Sequence, residues 1–417
     1  MHKLKFIFLT SLAAFLTYFS MYAFRKPFTA GLYEGIVVFG VNYKIMVVTV
    51  QLIGYALAKM IGIKFISELS LKRRPFMILA LIGSSWLALA GFALIPPPYN
   101  FFILFFNGLP LGLIWGIVFT YVEGRKYTEL LAAGLSTSFI VSSGVVKTVG
   151  RLIIDYGHIS EFWMPMITGL IFMPILGLGV WLLTKIPEPS IEDISERERR
   201  DPMDREKRNK VVRHFLPGIV LVSLIFLLLT VFREIRDNFA VDIWNDMGYL
   251  DTPSLLTTSE LIVAIVVLIF AGSLYKIRNN WNAFKTNLWI IPSSAAVILF
   301  STVLFSLDRI HPILWMVLMG LGMYLPYITY HTMLFERWIA AFRLRANVGF
   351  LMYIVDSVGY LISLLILIFK NYFHSQMSWE HFFIGISWIT AISIIVFGLV
   401  SFAYFRKQYR ILPISSE

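Results

Sequence analysis

The 417-residue chain contains no cysteine. Disulfides, thiolate metal sites and a cysteine nucleophile are therefore excluded. Charge is scarce too. Only 15% of residues are charged, against 58% hydrophobic, and a water-soluble fold of this size could not cover its surface with so little charge. Catalytic signatures are also missing: the chain has no HExxH, no GxSxG, no phosphate loop and no GxGxxG in a strand-turn-helix setting, so a hydrolase or nucleotide-dependent enzyme has no basis here. The residues call for no catalytic set, no metal and no cofactor.

What the chain does have is apolar sequence in long, continuous runs, with a mean hydropathy of +0.75. A helix needs about 20 such residues to cross hydrocarbon. Outer-membrane barrels alternate instead, and are excluded. Charge, proline and glycine divide the chain into twelve runs near 6–32, 43–66, 76–95, 101–121, 130–154, 162–183, 214–238, 255–275, 287–307, 312–335, 347–369 and 382–405. The reading is an all-α membrane protein with 12 transmembrane helices embedded in the lipid bilayer. The first run, from Phe6, reads as a span rather than a cleavable leader, because no small-residue cleavage site follows a short apolar core.

Basic residues orient the spans. With the N-terminus in the cytoplasm, 26 of the 36 Lys and Arg fall in inner loops or at inner ends, among them Lys72, Arg73, Arg74, Arg406 and Arg410. This bias places both termini in the cytoplasm. It also accounts for the net charge of +11 without a nucleic-acid partner. The expected location is a bacterial cytoplasmic (inner) membrane, and the expected state a monomer.

One long polar segment, 185–213, interrupts the pattern. It mixes both charge signs densely and reads as a solvated cytoplasmic linker, part of it helical. It divides the chain into an N-terminal six-span bundle (1–184) and a C-terminal one (214–417). The halves echo one another. Phe24-Arg25 in span 1 answers Phe232-Arg233 in span 7, each arginine standing 20 residues beyond a basic residue at the inner end, Lys5 or Arg213. Glu123-Gly124-Arg125 after span 4 answers Glu336-Arg337 after span 10. Equal span counts and paired motifs point to internal duplication.

On these features the chain resembles the major facilitator superfamily. That resemblance implies two pseudo-symmetric six-helix bundles around a central cavity. The superfamily's loop after span 2 keeps its spacing here as Lys64, Glu68 and Lys72-Arg73-Arg74, with its glycine lost and its aspartate replaced by glutamate. Within the superfamily the chain is most similar to the organophosphate:phosphate antiporters, through Tyr22-Ala23-Phe24-Arg25-Lys26-Pro27-Phe28, Tyr55-Ala56-Leu57-Ala58-Lys59 and Val231-Phe232-Arg233. The resemblance implies that Arg25 and Arg233, one from each half, grip phosphate with help from Lys59. The family's span-5 histidine has no counterpart, since span 5 contains no His.

Polar residues inside spans are costly and normally face a cavity or an interface. Tyr18, Tyr22, Arg25 and Thr29 share one face of span 1; Gln51, Tyr55 and Lys59 share one face of span 2. Snorkelling of Arg25, Lys26 or Lys59 to the membrane surface is the competing reading. In span 5, Lys147 would add positive charge to the cavity, whereas Arg151 and Asp155, at i and i+4, suit a structural ion pair. Span 7 holds Arg233, Glu234, Arg236 and Asp237, where acids neutralise one arginine and leave the other for a ligand; depth and the echo with Arg25 favour Arg233. His331 in span 10 and Asp356 in span 11, with Glu234, are the candidates for coupling or charge pairing. The substrate-binding set is thus Tyr22, Arg25, Tyr55, Lys59, Lys147, Arg233 and Arg236.

These residues predict a secondary active transporter for a small organic anion, a phosphorylated metabolite exchanged for phosphate by alternating access. A proton-coupled carrier of another anion, such as a carboxylate or acidic sugar, and a transporter-like sensor are the alternatives.

Overall fold

The computed structural model describes residues 2–123, 125, 128–188, 205–274, 276–342, 362–363, 365–370 and 377–411. Among these the structure is almost wholly helical. Its only sheet is a two-residue hairpin, β1 (Val37–Val38) against β2 (Val41–Asn42), in register Val37↔Asn42.

The first half runs α1 (His2–Arg25), α2 (Tyr43–Glu68), α3 (Arg74–Leu94), α4 (Ile103–Val122), α5 (Thr128–Asp155) and α6 (Met164–Thr184). The second runs α7 (Arg205–Asn238), the short α8 (Ala240–Asp246), α9 (Ser254–Leu274), α10 (Asn280–Ser306) and α11 (Pro312–Thr329). A π turn (Tyr330–Leu334), α12 (Phe335–Ala341) and α13 (Trp379–Ile411) follow. Ten segments among the described residues are long and apolar enough to cross a membrane. Exposed Leu, Ile, Val and Phe stud their outer faces, as expected of helices that meet lipid tails rather than water. The chain is an integral membrane protein.

The two halves pack by the same plan. In the first, α1 lies on α6, α2 on α4, α3 on α4, and α3 on α6. In the second, α7 lies on α13, α9 on α11, α10 on α11, and α10 on α13. Numbered by span, these are the same pairs six positions apart, the expected result of duplication. Between halves, α5 lies against α9. The approach is close enough that a Cβ at Gly144 would overlap the carbonyl oxygen of Leu256. Thr148 Oγ1 donates to the carbonyl of Pro253 at 2.8 Å beside it.

Several boundaries differ from the sequence reading; the helix of span 9, for example, starts at Asn280 and that of span 12 runs to Ile411. Span 1 does not continue as one helix to residue 32. It stops at Arg25, and Pro27–Ala30 form a separate 3-10 turn, because a proline inside the helix would remove a hydrogen bond and crowd the preceding turn. The carbonyls freed at that end are met by side chains: Asn107 Nδ2 donates to Phe24 at 2.9 Å and Gln51 Nε2 to Arg25 at 2.5 Å. At the other end of the half, helix extends back from span 7 to Arg205, with a break in helical geometry at Phe215. Part of the charged linker is therefore helical. Most of span 11 lies outside the described residues.

Candidate functional site

The polar residues of α1, α5 and α7 meet between the halves, at the end of the bundle away from the chain termini. Arg25 is 1% exposed and Arg233 5%, so neither snorkels outward. Chain continues beyond Arg25 as the buried Pro27–Ala30 turn, and a cluster of Tyr33, Tyr43, Phe92 and Phe162 rings caps that end.

The Arg25 guanidinium stacks 3.7 Å from the Tyr55 ring centre and 5.6 Å from that of Tyr22. Lys59 Nζ lies 5.3 Å from the same Tyr55 ring. The Arg233 guanidinium sits 4.7 Å from the ring centre of Tyr327, which in turn stacks on Phe226 at 5.3 Å and meets Phe139 of α5 edge-on at 6.0 Å. Aromatic faces hold a guanidinium by their quadrupole and fix its plane. Glu234 links the two sides, pairing with Arg233 and facing Lys26, the residue next to Arg25. The structure thus brings together Tyr22, Arg25, Tyr55, Lys59 and Arg233 from both halves.

A second layer of charges lies beside them. Lys26, buried at 1% exposure, reaches Asp237 at 2.7 Å, Asn238 Oδ1 at 2.7 Å and Glu234 at 3.6 Å. Lys147 reaches the other oxygen of Asp237 at 2.7 Å and Ser143 Oγ at 2.6 Å, and Ser143 also donates to Asp237. Asp237 therefore carries two ammoniums from the first half. Glu234 divides its oxygens: Oε1 pairs with Arg233 at 2.5 Å, while Oε2 accepts from Asn238 at 3.0 Å and faces Lys26. Further along the same end, Lys44 pairs with Asp242 at 2.6 Å.

These contacts revise several expectations. Lys147 does not stand as an additional cavity cation; it is spent on Asp237. Arg236 is held by Glu260 at 2.5 Å and donates to the carbonyl of Met316 at 3.0 Å, which separates it from Arg233. Gln51 caps the end of α1 and holds Asn107 at 2.7 Å, although its stripe with Tyr55 and Lys59 read as cavity wall. Arg151 and Asp155 form the expected i,i+4 pair at 2.6 Å. The side chain of His331 and the whole of Asp356 lie outside the described residues.

The sequence reading does not single out Lys26, Lys44 and Asp242 as partners across the interface, nor Glu260 as the partner of Arg236 within the second half. Lys26 stands next to Arg25 and looked like a surface cation. The signal that could have found it was the supply of acids in span 7, where Glu234 and Asp237 need basic partners from somewhere. Among the described residues, the cluster around Arg25 and Arg233 gathers six basic side chains (Arg25, Lys26, Lys59, Lys147, Arg233, Arg236) and three carboxylates (Glu234, Asp237, Glu260).

A family model matches residues 27–408, nearly the full length. The chain belongs to DUF5690, described as a family of unknown function. No curated protein sequence matches it. Solved structures do. A D-xylose-proton symporter covers 96% of this chain and 97% of its own, with TM-score 0.62 and 13% identity. A peptide transporter POT in complex with alafosfalin covers 98% and 95%, with TM-score 0.64 and 14% identity. The peptide transporter POT in complex with sulfate covers 97% and 95%, with TM-score 0.62 and 15% identity. These are transporters of the major facilitator type, and this DUF5690 chain shares their fold of helices in two bundles.

Proposed function

We propose that the chain is a secondary transporter for a small organic anion, with Arg25 and Arg233 as the anion-binding pair. One observation carries this reading: two buried guanidiniums, one from each half, are held by aromatic faces, Arg25 over Tyr55 and Arg233 over Tyr327. Arginine forks match the paired oxygens of phosphate or carboxylate, and a positioned fork loses little freedom on binding. Tyr22 supplies a hydroxyl, Tyr55 the ring face that holds Arg25, and Lys59 a point charge. A phosphorylated metabolite exchanged for phosphate suits this chemistry best, since a tetrahedral dianion accepts from both arginines at once. An anion held by both halves favours their approach, and its loss restores repulsion between the cations; exchange without net reorientation of the empty carrier follows.

Glu234 favours a second reading. It is shared between Arg233 and the first half's Lys26, so adding a proton would loosen both contacts together. A proton-coupled carrier for a carboxylate or acidic sugar would use such a group.

Purified protein in liposomes preloaded with labelled phosphate separates the two. Release that requires an external phosphate ester supports exchange. Uptake of a carboxylate driven by a pH gradient, with no phosphate release, supports the second reading. Binding of the anion without movement of any label would mark a sensor and end both.

A further inference from the structure

Away from the polar centre, on the end of the bundle that carries the chain termini, α10 and α13 leave a groove of about 510 Å³ between them. Its volume falls in the roughly 300–1,000 Å³ range of small-ligand sites. Three of its lining residues are basic, Lys285, Arg406 and Arg410, and none is acidic. Aromatic residues form the rest. Trp281 and Tyr409 stack at 3.8 Å with their planes 3° apart, and Trp289 meets Phe402 at 4.7 Å.

The order along the helices matters. Trp281, Tyr409 and Arg410 lie nearest the helix ends, Lys285 and Arg406 about one turn further in, and Trp289 and Phe402 about one turn beyond those, at about 1.5 Å per residue. The groove therefore has an aromatic rim, a basic band below it and an apolar floor. From that floor an apolar strip continues on both helices. Trp289, Val297, Phe300 and Leu304 of α10 and Ile389, Ile392, Val396 and Leu399 of α13 are all exposed. A soluble anion would have no use for such a strip. An acyl chain would.

We propose that this groove is a binding site for an anionic phospholipid of the leaflet on the side of the chain termini. Its phosphate is held by Lys285, Arg406 and Arg410, the rest of its headgroup lies against the Trp281–Tyr409 stack, its glycerol region lies against Trp289 and Phe402, and its acyl chains run along the exposed strip. Tryptophan and tyrosine favour the headgroup level of a bilayer, and basic pockets between spanning helices are suited to anionic headgroups. The site shares no residue with the Arg25–Arg233 centre and does not depend on what that centre carries.

The test is native mass spectrometry of the full-length protein, released from mixed micelles containing equal phosphatidylglycerol and phosphatidylcholine. Wild type should retain phosphatidylglycerol preferentially. Each basic residue near an anionic surface is worth about a five-fold change in affinity, so Arg406→Gln and Arg410→Gln should each reduce retention by about that factor, and the triple variant with Lys285→Gln should abolish the preference. Trp289→Ala should weaken phosphatidylglycerol retention as well, through the floor. Lys72→Gln with Arg73→Gln, an exposed pair in the other half at the same end, should leave it unchanged. Equal retention of the two lipids, an equal loss in the Lys72/Arg73 control, or displacement of the lipid by millimolar inorganic phosphate would overturn the assignment. The single variants keep the test decisive if the triple variant does not fold.

Discussion

Lys147 of α5 reaches out of the first half to Asp237 of α7, its ammonium 2.7 Å from the carboxylate. With Lys26 on the opposite oxygen at 2.7 Å, this aspartate fastens α1 and α5 to α7 in one small volume. A carboxylate with two ammoniums offsets its own desolvation only while both partners stay in place. The arrangement is therefore costly to break and specific to the conformation that contains it.

Asp237→Asn should accordingly cost about 3–5 kcal/mol, the usual loss when one partner of a buried charge pair is removed. The measurement is the thermal midpoint in detergent. Combining it with Lys147→Gln should recover part of the loss, because one of the two stranded ammoniums is gone. A double variant no better than the sum of its parts would show that the two groups act independently.

Arg233 and Arg236 should behave differently. Arg236 is tied to Glu260 and to a backbone carbonyl, so Arg236→Gln leaves a buried acid without its partner and should destabilise by about 3–5 kcal/mol. Arg233→Ala should instead abolish anion binding while a folded protein is still recovered, because Glu234, its partner, keeps Lys26 at 3.6 Å and Asn238 at 3.0 Å. Titration with labelled phosphate, run beside a thermal melt, reads both quantities. Unchanged affinity in Arg233→Ala would count against the paired-arginine centre.

How far the sequence reaches can be judged from these same residues. Apolar runs located the described helices, with most ends within about three residues and a few off by about six to nine, because lipid demands a continuous apolar stretch while polar helical turns beyond it leave no such signal. The echo of Phe24-Arg25 in Phe232-Arg233 marks two buried arginines, one in each half. Partners were harder. A charge within a span signals that some partner exists, but Lys147 and Asp237 are 90 residues apart and no periodicity connects them. Lys26 adjoins Arg25 in sequence but lies just past the end of α1, where the chain leaves the helical path, so the two side chains have different surroundings. Gln51 was misjudged because a polar stripe looks the same whether it lines water or caps the end of a broken helix.

Tyr55 offers a finer test of the centre. Its ring supports Arg25 at 3.7 Å, and a cation over an aromatic face is worth roughly 0.5–2 kcal/mol, more when desolvated. Tyr55→Phe keeps the face and should retain most of the anion affinity. Tyr55→Ala should lose about 3- to 30-fold on that scale. Arg25→Lys keeps the charge but not the flat fork, and should bind more weakly than wild type by at least ten-fold, on the order of one lost charge-assisted hydrogen bond. Equal affinities in Tyr55→Phe and Tyr55→Ala would mean that the hydroxyl, not the face, is what Tyr55 contributes.

Gly144 tests movement between the halves. A side chain there would overlap the carbonyl oxygen of Leu256, and backbone cannot step aside as a flexible side chain does. Gly144→Ala should therefore disfavour the conformation described here by about 1–3 kcal/mol, the usual cost of overpacking, and shift the population toward one in which α5 and α9 separate at this end. Thr257, whose hydroxyl donates to Thr148 at 2.8 Å in this conformation, is a suitable reporter. The native chain has no cysteine, so Thr257→Cys introduces a single thiol whose labelling rate can be followed directly. Labelling should be faster in the Gly144→Ala background than without it, and saturating anion should slow it in both. Equal rates in the two backgrounds would mean that this contact does not separate during the cycle.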